Sequence, residues 1–108
     1  MMMAMRILAR KTLTAFVAST QSDQEAAKSA FDAWYHEAEQ AQWRTPADVK
    51  AHYRSASFVG ERVVFNIKGN DYRLVVAIDY GRQIAFIKWV GTHGEYDKID
   101  VRTVQYGD

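Results

Sequence analysis

The sequence contains no cysteine and a single proline among its 108 residues. Without cysteine there is no disulfide framework, no thiolate metal site and no cysteine nucleophile. This composition fits a reducing cytoplasm without excluding a secreted protein. The sequence also has no apolar run near the roughly 20 residues that a helix needs to cross a bilayer. We therefore expect a cytoplasmic protein without a membrane-spanning segment.

The sequence also lacks a large net charge, because it has 14 basic and 13 acidic residues and a net charge of +1. The charges are nevertheless unevenly placed. Residues 20–49 contain two basic and six acidic residues, a balance of −4, whereas residues 50–88 contain seven basic and three acidic residues, a balance of +4. A basic half can meet a polyanion while an acidic half stays in solvent. A mixed solvated surface explains the same counts.

The length and the hydrophobic content of 48% indicate one folded domain over residues 1–108. Residues 1–4 are predicted to be a ragged or disordered start, with the domain beginning near Met5. The methionines there are not followed by the apolar stretch of a signal peptide.

The first half of the chain predicts helices. Leu13, Phe16 and Val17 recur at helical spacing, and a longer apolar stripe with a period of 3.6 follows. Thr45 and Asp48 flank the only proline in the pattern of a capping box. The predicted helices are 10–19, a second from a side-chain cap at Ser22 or Asp23 to about residue 41, and 46 to about 53.

The second half predicts strands. Three segments rich in β-branched and aromatic residues are separated by turn signals at Gly69-Asn70, where positive φ is tolerated, and at 80–82. Leu74 to Ile78 is almost entirely apolar, which indicates a central strand covered on both faces. The predicted strands are 62–68, 71–79 and 83–92. Residues 6–9 could form a strand or lead into a helix, residues 93–97 a loop with a helical turn, and residues 101–104 extended chain.

Helices followed by an antiparallel meander indicate an α+β fold, with N-terminal helices packed on one face of a small, twisted, mainly antiparallel sheet. Several segments are distinctive in their order and spacing: RILARK at 6–11, WRTPAD at 43–48, YRSAS at 53–57, VVFNIKGNDYRLV at 63–75 and FIKWVGTHGEYD at 86–97. Together they resemble the HigB toxin family, a branch of the RelE/ParE-like superfamily. The FNxxGNxYRL hairpin and the THxEYD loop carry the resemblance most specifically.

The resemblance implies a RelE-like fold and cleavage of messenger RNA on the translating ribosome. It also implies a partner, a HigA-type helix-turn-helix antitoxin, in a hetero-oligomeric complex. The same superfold includes ParE-like proteins that bind gyrase and cut no RNA, so the fold leaves the activity open. A third alternative is an antitoxin-binding module that has lost activity.

RNA can be cut without a metal or cofactor when side chains move protons and stabilise charge while the 2′-hydroxyl attacks. His93 is the candidate for proton transfer, because its pKa normally lies near neutrality and it follows a strand in a glycine-flanked loop. Tyr96 could take part in proton transfer, bind phosphate or stack on a base, and it could equally anchor the loop. Arg73 is the candidate for stabilising transition-state charge, since a guanidinium can grip phosphate with two donors.

Three further cations are predicted to bind RNA. Lys68 and Lys88 are the preferred phosphate contacts, and Arg54 is a further one. Each could instead be a solvated surface residue. No spacing of His, Asp or Glu predicts a metal site, and no glycine-rich phosphate loop is present.

Overall fold

The computed structural model describes residues 4–107, which form a five-stranded sheet, with three α-helices between its first strand and the other four and a short helix after the last strand. The elements in chain order are β1 (Arg6–Leu8), α1 (Arg10–Ser19), a 3-10 turn (Gln21–Asp23), α2 (Gln24–Gln40), α3 (Pro46–His52), β2 (Ser57–Val59), β3 (Arg62–Ile67), β4 (Tyr72–Asp79), β5 (Ile84–Thr92) and α4 (His93–Tyr96). None of the helices among these residues is long and apolar enough to span a bilayer.

The sheet is mixed, with the strand order β1-β5-β4-β3-β2. Strands β2 to β5 form an antiparallel meander, and β1 pairs with β5 in parallel. The nearly continuous apolar run in β4 therefore occupies the middle of the sheet, as predicted. The α+β prediction is confirmed.

The main core lies between the helices and one face of the sheet. Alternate residues of β3, among them Phe65, face this side, where Trp34 of α2 meets the Phe65 ring at a centroid distance of 5.3 Å. Phe16 of α1 and Phe31 of α2 both contact the ring of Tyr72 at 5.5 Å. Burying such aromatic surface is the main favourable contribution to folding. Tyr72 is thus a packing residue of the main core.

The other face of the sheet has a smaller apolar cluster, which we call the outer cluster. Val64, Val75 and Trp89 are its buried members, and the partly buried residues packed on them come mainly from the end of the chain: Val59, Tyr96, Ile99, Val101 and Val104. Residues 97–104 therefore cover the middle of this face. They form turns there, so the prediction of extended chain at 101–104 was wrong.

Two predicted local features differ from the structure. The side chain of Asp23 does not cap α2 but binds Lys68 and the Tyr72 hydroxyl. In the β3–β4 hairpin, Lys68 and Gly69 have positive φ, at 54° and 63°, so the left-handed residues lie one position earlier than predicted.

The capping box predicted at Thr45 and Asp48 is confirmed. Strand β2 was not predicted. Residues 6–9 were predicted to be either a strand or the lead into a helix, and the structure has a strand, β1, at Arg6–Leu8. The prediction of a ragged start falls almost entirely on residues outside the described range, although Ala4 is described.

Asp23 joins the helical layer to the β3–β4 hairpin. Lys68 Nζ lies 3.0 Å from one Asp23 carboxylate oxygen and 3.1 Å from Asp71, and the Tyr72 hydroxyl donates to Asp23. The hydrogen bond from Tyr72, and then that from Lys68, holds the pKa of Asp23 below its ordinary value of 3.8. A carboxylate of this kind stabilises the folded state above its ordinary pKa, and this stabilisation is lost as pH falls through the lowered value.

We therefore expect Asp23→Asn to lower the urea midpoint near neutral pH, and the difference from the unmodified protein to shrink as pH falls from about 6 to about 2. Asp32→Asn is the matched control, because Asp32 forms an exposed pair with Lys28 on the same helix. A difference for Asp23→Asn that stayed constant with pH would contradict this role for the charge.

Candidate functional site

Three predicted residues meet at one end of the sheet, on the face away from the helices. Arg73 alternates with core-facing neighbours along β4 and lies opposite Gly91 of β5. His93 begins α4 directly after β5, and Tyr96 ends it. The antiparallel pairing of β4 with β5 therefore brings the arginine beside the histidine, 20 positions later in the chain.

Arg73 is a buried cation, with 8% of its surface exposed. Its Nη1 donates to the carbonyl oxygens of Asn70 (3.1 Å) and Tyr72 (3.2 Å). Its Nη2 donates to the Asn70 side-chain oxygen (3.2 Å) and lies 2.7 Å from His93 Nδ1. No carboxylate among residues 4–107 forms an ion pair with it. A buried charge normally has an opposite partner, whereas Arg73 is held by neutral acceptors and lies over the Tyr96 ring, an arrangement that suits an anion as ligand.

The contact with Arg73 fixes how the His93 ring is used. A guanidinium has only donors, so His93 Nδ1 must accept with its lone pair. The neutral ring then carries its proton on Nε2, which has no hydrogen-bond partner among the described residues. The ring is exposed, so Nε2–H is free to donate to a bound ligand.

The backbone around His93 is fixed by two sets of hydrogen bonds. The His93 N–H donates to the carbonyl oxygen of Asp71 at 3.0 Å. Thr92 and Glu95 form a reciprocal capping box, in which the Thr92 hydroxyl accepts from the Glu95 N–H and the Glu95 carboxylate accepts from the Thr92 N–H. Such caps satisfy the free donors of a helix start. Glu95 thus orients the loop by holding its backbone.

Tyr96 connects the site to the outer cluster. Its ring centroid lies 5.9 Å from the Arg73 guanidinium carbon and 6.4 Å from the Trp89 ring. The ring is half-buried, and its hydroxyl has no hydrogen-bond partner among the described residues. Tyr96 therefore anchors the end of the chain, and its ring also lies beside Arg73. This position is compatible with the predicted anchoring role and with a contact to the substrate.

Gly91 gives Trp89 the space that it occupies beside the site. A Cβ at residue 91 would lie 2.3 Å from Trp89 Cη2 and 3.1 Å from Glu95 Oε1. We expect Gly91→Ala to lower the free energy of unfolding by about 1–3 kcal/mol, because the indole ring and the α4 cap must shift. Urea unfolding measures the change. Gly94→Ala is the control, since a Cβ there meets nothing within 4 Å, and equal stability of the two variants would refute this packing.

The other predicted cations do not join this group. Lys68 points toward the helical layer, where it pairs with Asp23 and Asp71. Lys88 lies on the same face as Arg73 but beyond Trp89, in a pocket lined also by Arg62 and Arg102.

Arg54 is exposed in the turn between α3 and β2. The pairing of Ser57 with Val64 places this turn at the same end of the sheet as Arg73, two strands away. Among residues 4–107, no hydrogen bond or ion pair joins Arg54 to Arg73, His93 or Tyr96.

Sequence reasoning missed the two asparagines that hold Arg73. Asn70 accepts from both terminal nitrogens of Arg73, and Asn66 donates to the Asn70 side chain at 3.5 Å. Both belong to the FNxxGNxYRL segment, where Asn70 was taken only as a turn residue. The signal available in the sequence was the spacing of Asn70 and Arg73, three positions apart across the hairpin turn. Among the described residues, no group of three His, Asp or Glu side chains could hold a metal.

The comparison with known families identifies the chain. A model of HigB toxins, described as the RelE-like toxic component of a toxin–antitoxin system, matches residues 27–99. The chain belongs to the HigB toxin family. The matched part covers about two thirds of this HigB-family chain, including every residue of the Arg73–His93–Tyr96 group. A search of curated proteins finds no match.

Family membership means that this HigB-family protein is the toxic component of a toxin–antitoxin system and has an antitoxin as its partner. The resemblance found in the hairpin and loop motifs is thereby confirmed. The match begins within α2 and ends three residues after Tyr96, so β1, α1 and most of residues 97–104 lie outside it.

Proposed function

We propose that this protein is a ribosome-dependent endoribonuclease that cleaves messenger RNA and so inhibits translation in the cytoplasm. The observation that carries the proposal is the 2.7 Å contact between Arg73 and His93, at the end of the sheet where the family-specific hairpin and loop meet. A buried cation without a carboxylate partner suits a phosphate, and an adjacent imidazole suits proton transfer.

The reaction requires that the 2′-oxygen form a bond to the adjacent phosphorus while the bond to the 5′-oxygen breaks. The 2′-hydroxyl proton goes to a base, and the departing 5′-oxygen receives a proton from an acid. The products are a 2′,3′-cyclic phosphate and a 5′-hydroxyl. Arg73 would stabilise charge on the non-bridging oxygens, and His93 and Tyr96 are the candidates for proton transfer.

In this proposal, phosphate binding to Arg73 would change which atoms of His93 are free to take up a proton. An imidazolium would direct an Nδ1–H at the donors of Arg73, so this hydrogen bond and a protonated ring exclude each other. When a phosphate oxygen takes the place of His93 as acceptor for Arg73 Nη2, Nδ1 becomes available for a proton. Substrate binding would in this way release the histidine for acid–base work.

Purified protein added to a translating extract without antitoxin tests the proposal. We expect messenger RNA to be cut within the translated region, with 2′,3′-cyclic or 3′-phosphate ends, and little cutting of the same RNA without ribosomes. Intact messenger RNA in the translating extract, with the protein shown to be folded, would refute it.

We further propose that the antitoxin is a HigA-type helix-turn-helix protein that forms a hetero-oligomer with this chain. The adjacent reading frame should encode it. Co-expression of the two proteins should restore growth and yield a stable complex on purification. An adjacent frame that encodes no such protein would contradict the HigA assignment and leave the endoribonuclease proposal unaffected.

A further inference from the structure

A second cationic pocket lies on the same sheet face, at the end opposite Arg73. It has a volume of about 400 Å³ and is lined by Gly60, Glu61, Arg62, Ala77, Lys88 and Arg102. Three of these residues are cationic and one is acidic. None of the three cations forms an ion pair within residues 4–107. The lining of the pocket therefore has an excess of basic over acidic side chains, which favours an anion as ligand.

The three cations are brought together by different parts of the chain. Arg62 begins β3, and one of its terminal nitrogens donates to the carbonyl oxygens of Val101 (3.0 Å) and Val104 (2.6 Å). This contact fixes the end of the chain on the sheet and holds the guanidinium in place. Arg102, on the same terminal segment, would contact a Cβ added at Gly60 at 3.3 Å, so it reaches across the β2–β3 turn.

Lys88 reaches this pocket through an irregularity in β5. Val75 pairs with Trp89 and Val76 with Ile87, so Lys88 is the extra residue of a β-bulge. Its ammonium lies 5.5 Å from the centroid of the Phe86 ring. The Tyr106 N–H donates to the Lys88 carbonyl oxygen at 2.7 Å, and Tyr106 is 38% exposed. An exposed tyrosine thus lies next to the cations along the backbone.

We propose that Arg62, Lys88 and Arg102 form a second phosphate site, which binds the RNA backbone a few nucleotides from the phosphate held by Arg73. Arginine forks match phosphate oxygens, and a neighbouring exposed aromatic suits base stacking. Ala77 lies four residues from Arg73 on β4, a separation of about 13 Å at the rise of a strand. One strand of nucleic acid can therefore reach both sites. This inference rests on the proposed function in taking RNA as the ligand.

The site is tested with RNA that cannot be cut. The probes are fluorescent 2′-O-methyl oligonucleotides of about 4 and about 12 nucleotides, and anisotropy measures their binding to the purified protein. The variant Lys88→Gln/Arg102→Gln removes two charges and leaves Arg62, which holds the terminal segment. We expect about tenfold weaker binding of the longer oligonucleotide, unchanged binding of the shorter one, and a salt dependence reduced by about 0.7 for each charge removed.

Lys11→Gln/Lys28→Gln, which removes two exposed lysines from the helical side, is the matched control and should bind both oligonucleotides like the unmodified protein. Equal binding of the longer oligonucleotide by Lys88→Gln/Arg102→Gln would overturn the second site. A variant that bound RNA normally but lost affinity for the antitoxin would overturn it in favour of a protein ligand. Because the probes cannot be cleaved, failure to cut messenger RNA would refute the proposed function while leaving this binding result intact.

Discussion

Replacement of Arg73 by methionine is expected to lower the rate of messenger RNA cleavage by about 10²- to 10³-fold, the usual loss when one preorganised donor to a transition-state charge is removed. Methionine fills much of the same space without charge. The three carbonyl oxygens that Arg73 now satisfies belong to Asn70 and Tyr72 at the hairpin, where Asn70 is exposed to water. We therefore expect the variant to fold, with a melting temperature within about 5 °C of the unmodified protein.

Cleavage rates in a translating extract, together with thermal unfolding, check this prediction. Arg82→Met is the matched control, because Arg82 is exposed and pairs with Asp79 at the β4–β5 turn, away from the site. The control should cleave at the normal rate. Normal cleavage by Arg73→Met would show that the buried guanidinium stabilises the hairpin and takes no part in cleavage.

The second large effect is expected from His93→Gln. Glutamine retains hydrogen-bonding capacity beside Arg73 but cannot exchange protons near neutral pH, so cleavage should fall by about 10²- to 10⁴-fold. His93 is exposed and contributes little to either apolar cluster, so stability should change little. Cleavage in the translating extract and growth inhibition on expression are the two measurements.

His36→Gln provides the control for this prediction, since His36 is an exposed residue of α2 that contacts Gln40. It should remain fully toxic. If His93→Gln arrested growth as strongly as the unmodified protein, toxicity would come from binding a target without cleavage. If the unmodified protein were harmless on overexpression, an inactive antitoxin-binding module would be the better description.

The helices and the central strand could be predicted because local patterns determine them. The apolar spacing of Leu13, Phe16 and Val17 requires one buried face, and it gave α1 with its observed bounds. The apolar run in β4 could be satisfied only in the middle of a sheet. The family-specific motifs indicated which loops to examine, but they did not show which side chains touch.

The parts that could not be predicted depend on long-range pairing. A β-bulge between β4 and β5 leaves Lys88 without a partner in the register, so simple alternation cannot give its position. Lys68 lies in the β3–β4 turn, and only the packing of the 3-10 turn before α2 against the hairpin reveals its pairing with Asp23. The contact between Arg73 and His93 likewise requires the β4–β5 register, although both residues were identified individually.

The sequence indicated only weakly that the terminal segment covers the outer face of the sheet. Val101 and Val104 are apolar and three residues apart, which suits a turn packed on a surface as well as it suits a strand. Their carbonyl oxygens accept from Arg62, about 40 residues earlier, and this contact fixes the turns. No local pattern in the sequence specifies such a partner.

The central claim is that Arg73 and His93 act as one unit on the same phosphate. A double-mutant cycle tests it most directly, with single-turnover cleavage rates measured for Arg73→Met, His93→Gln and the double variant. Residues that act as a unit are strongly non-additive, so the double variant should be within about tenfold of the slower single variant. A double variant whose loss equalled the product of the two single losses would contradict the account.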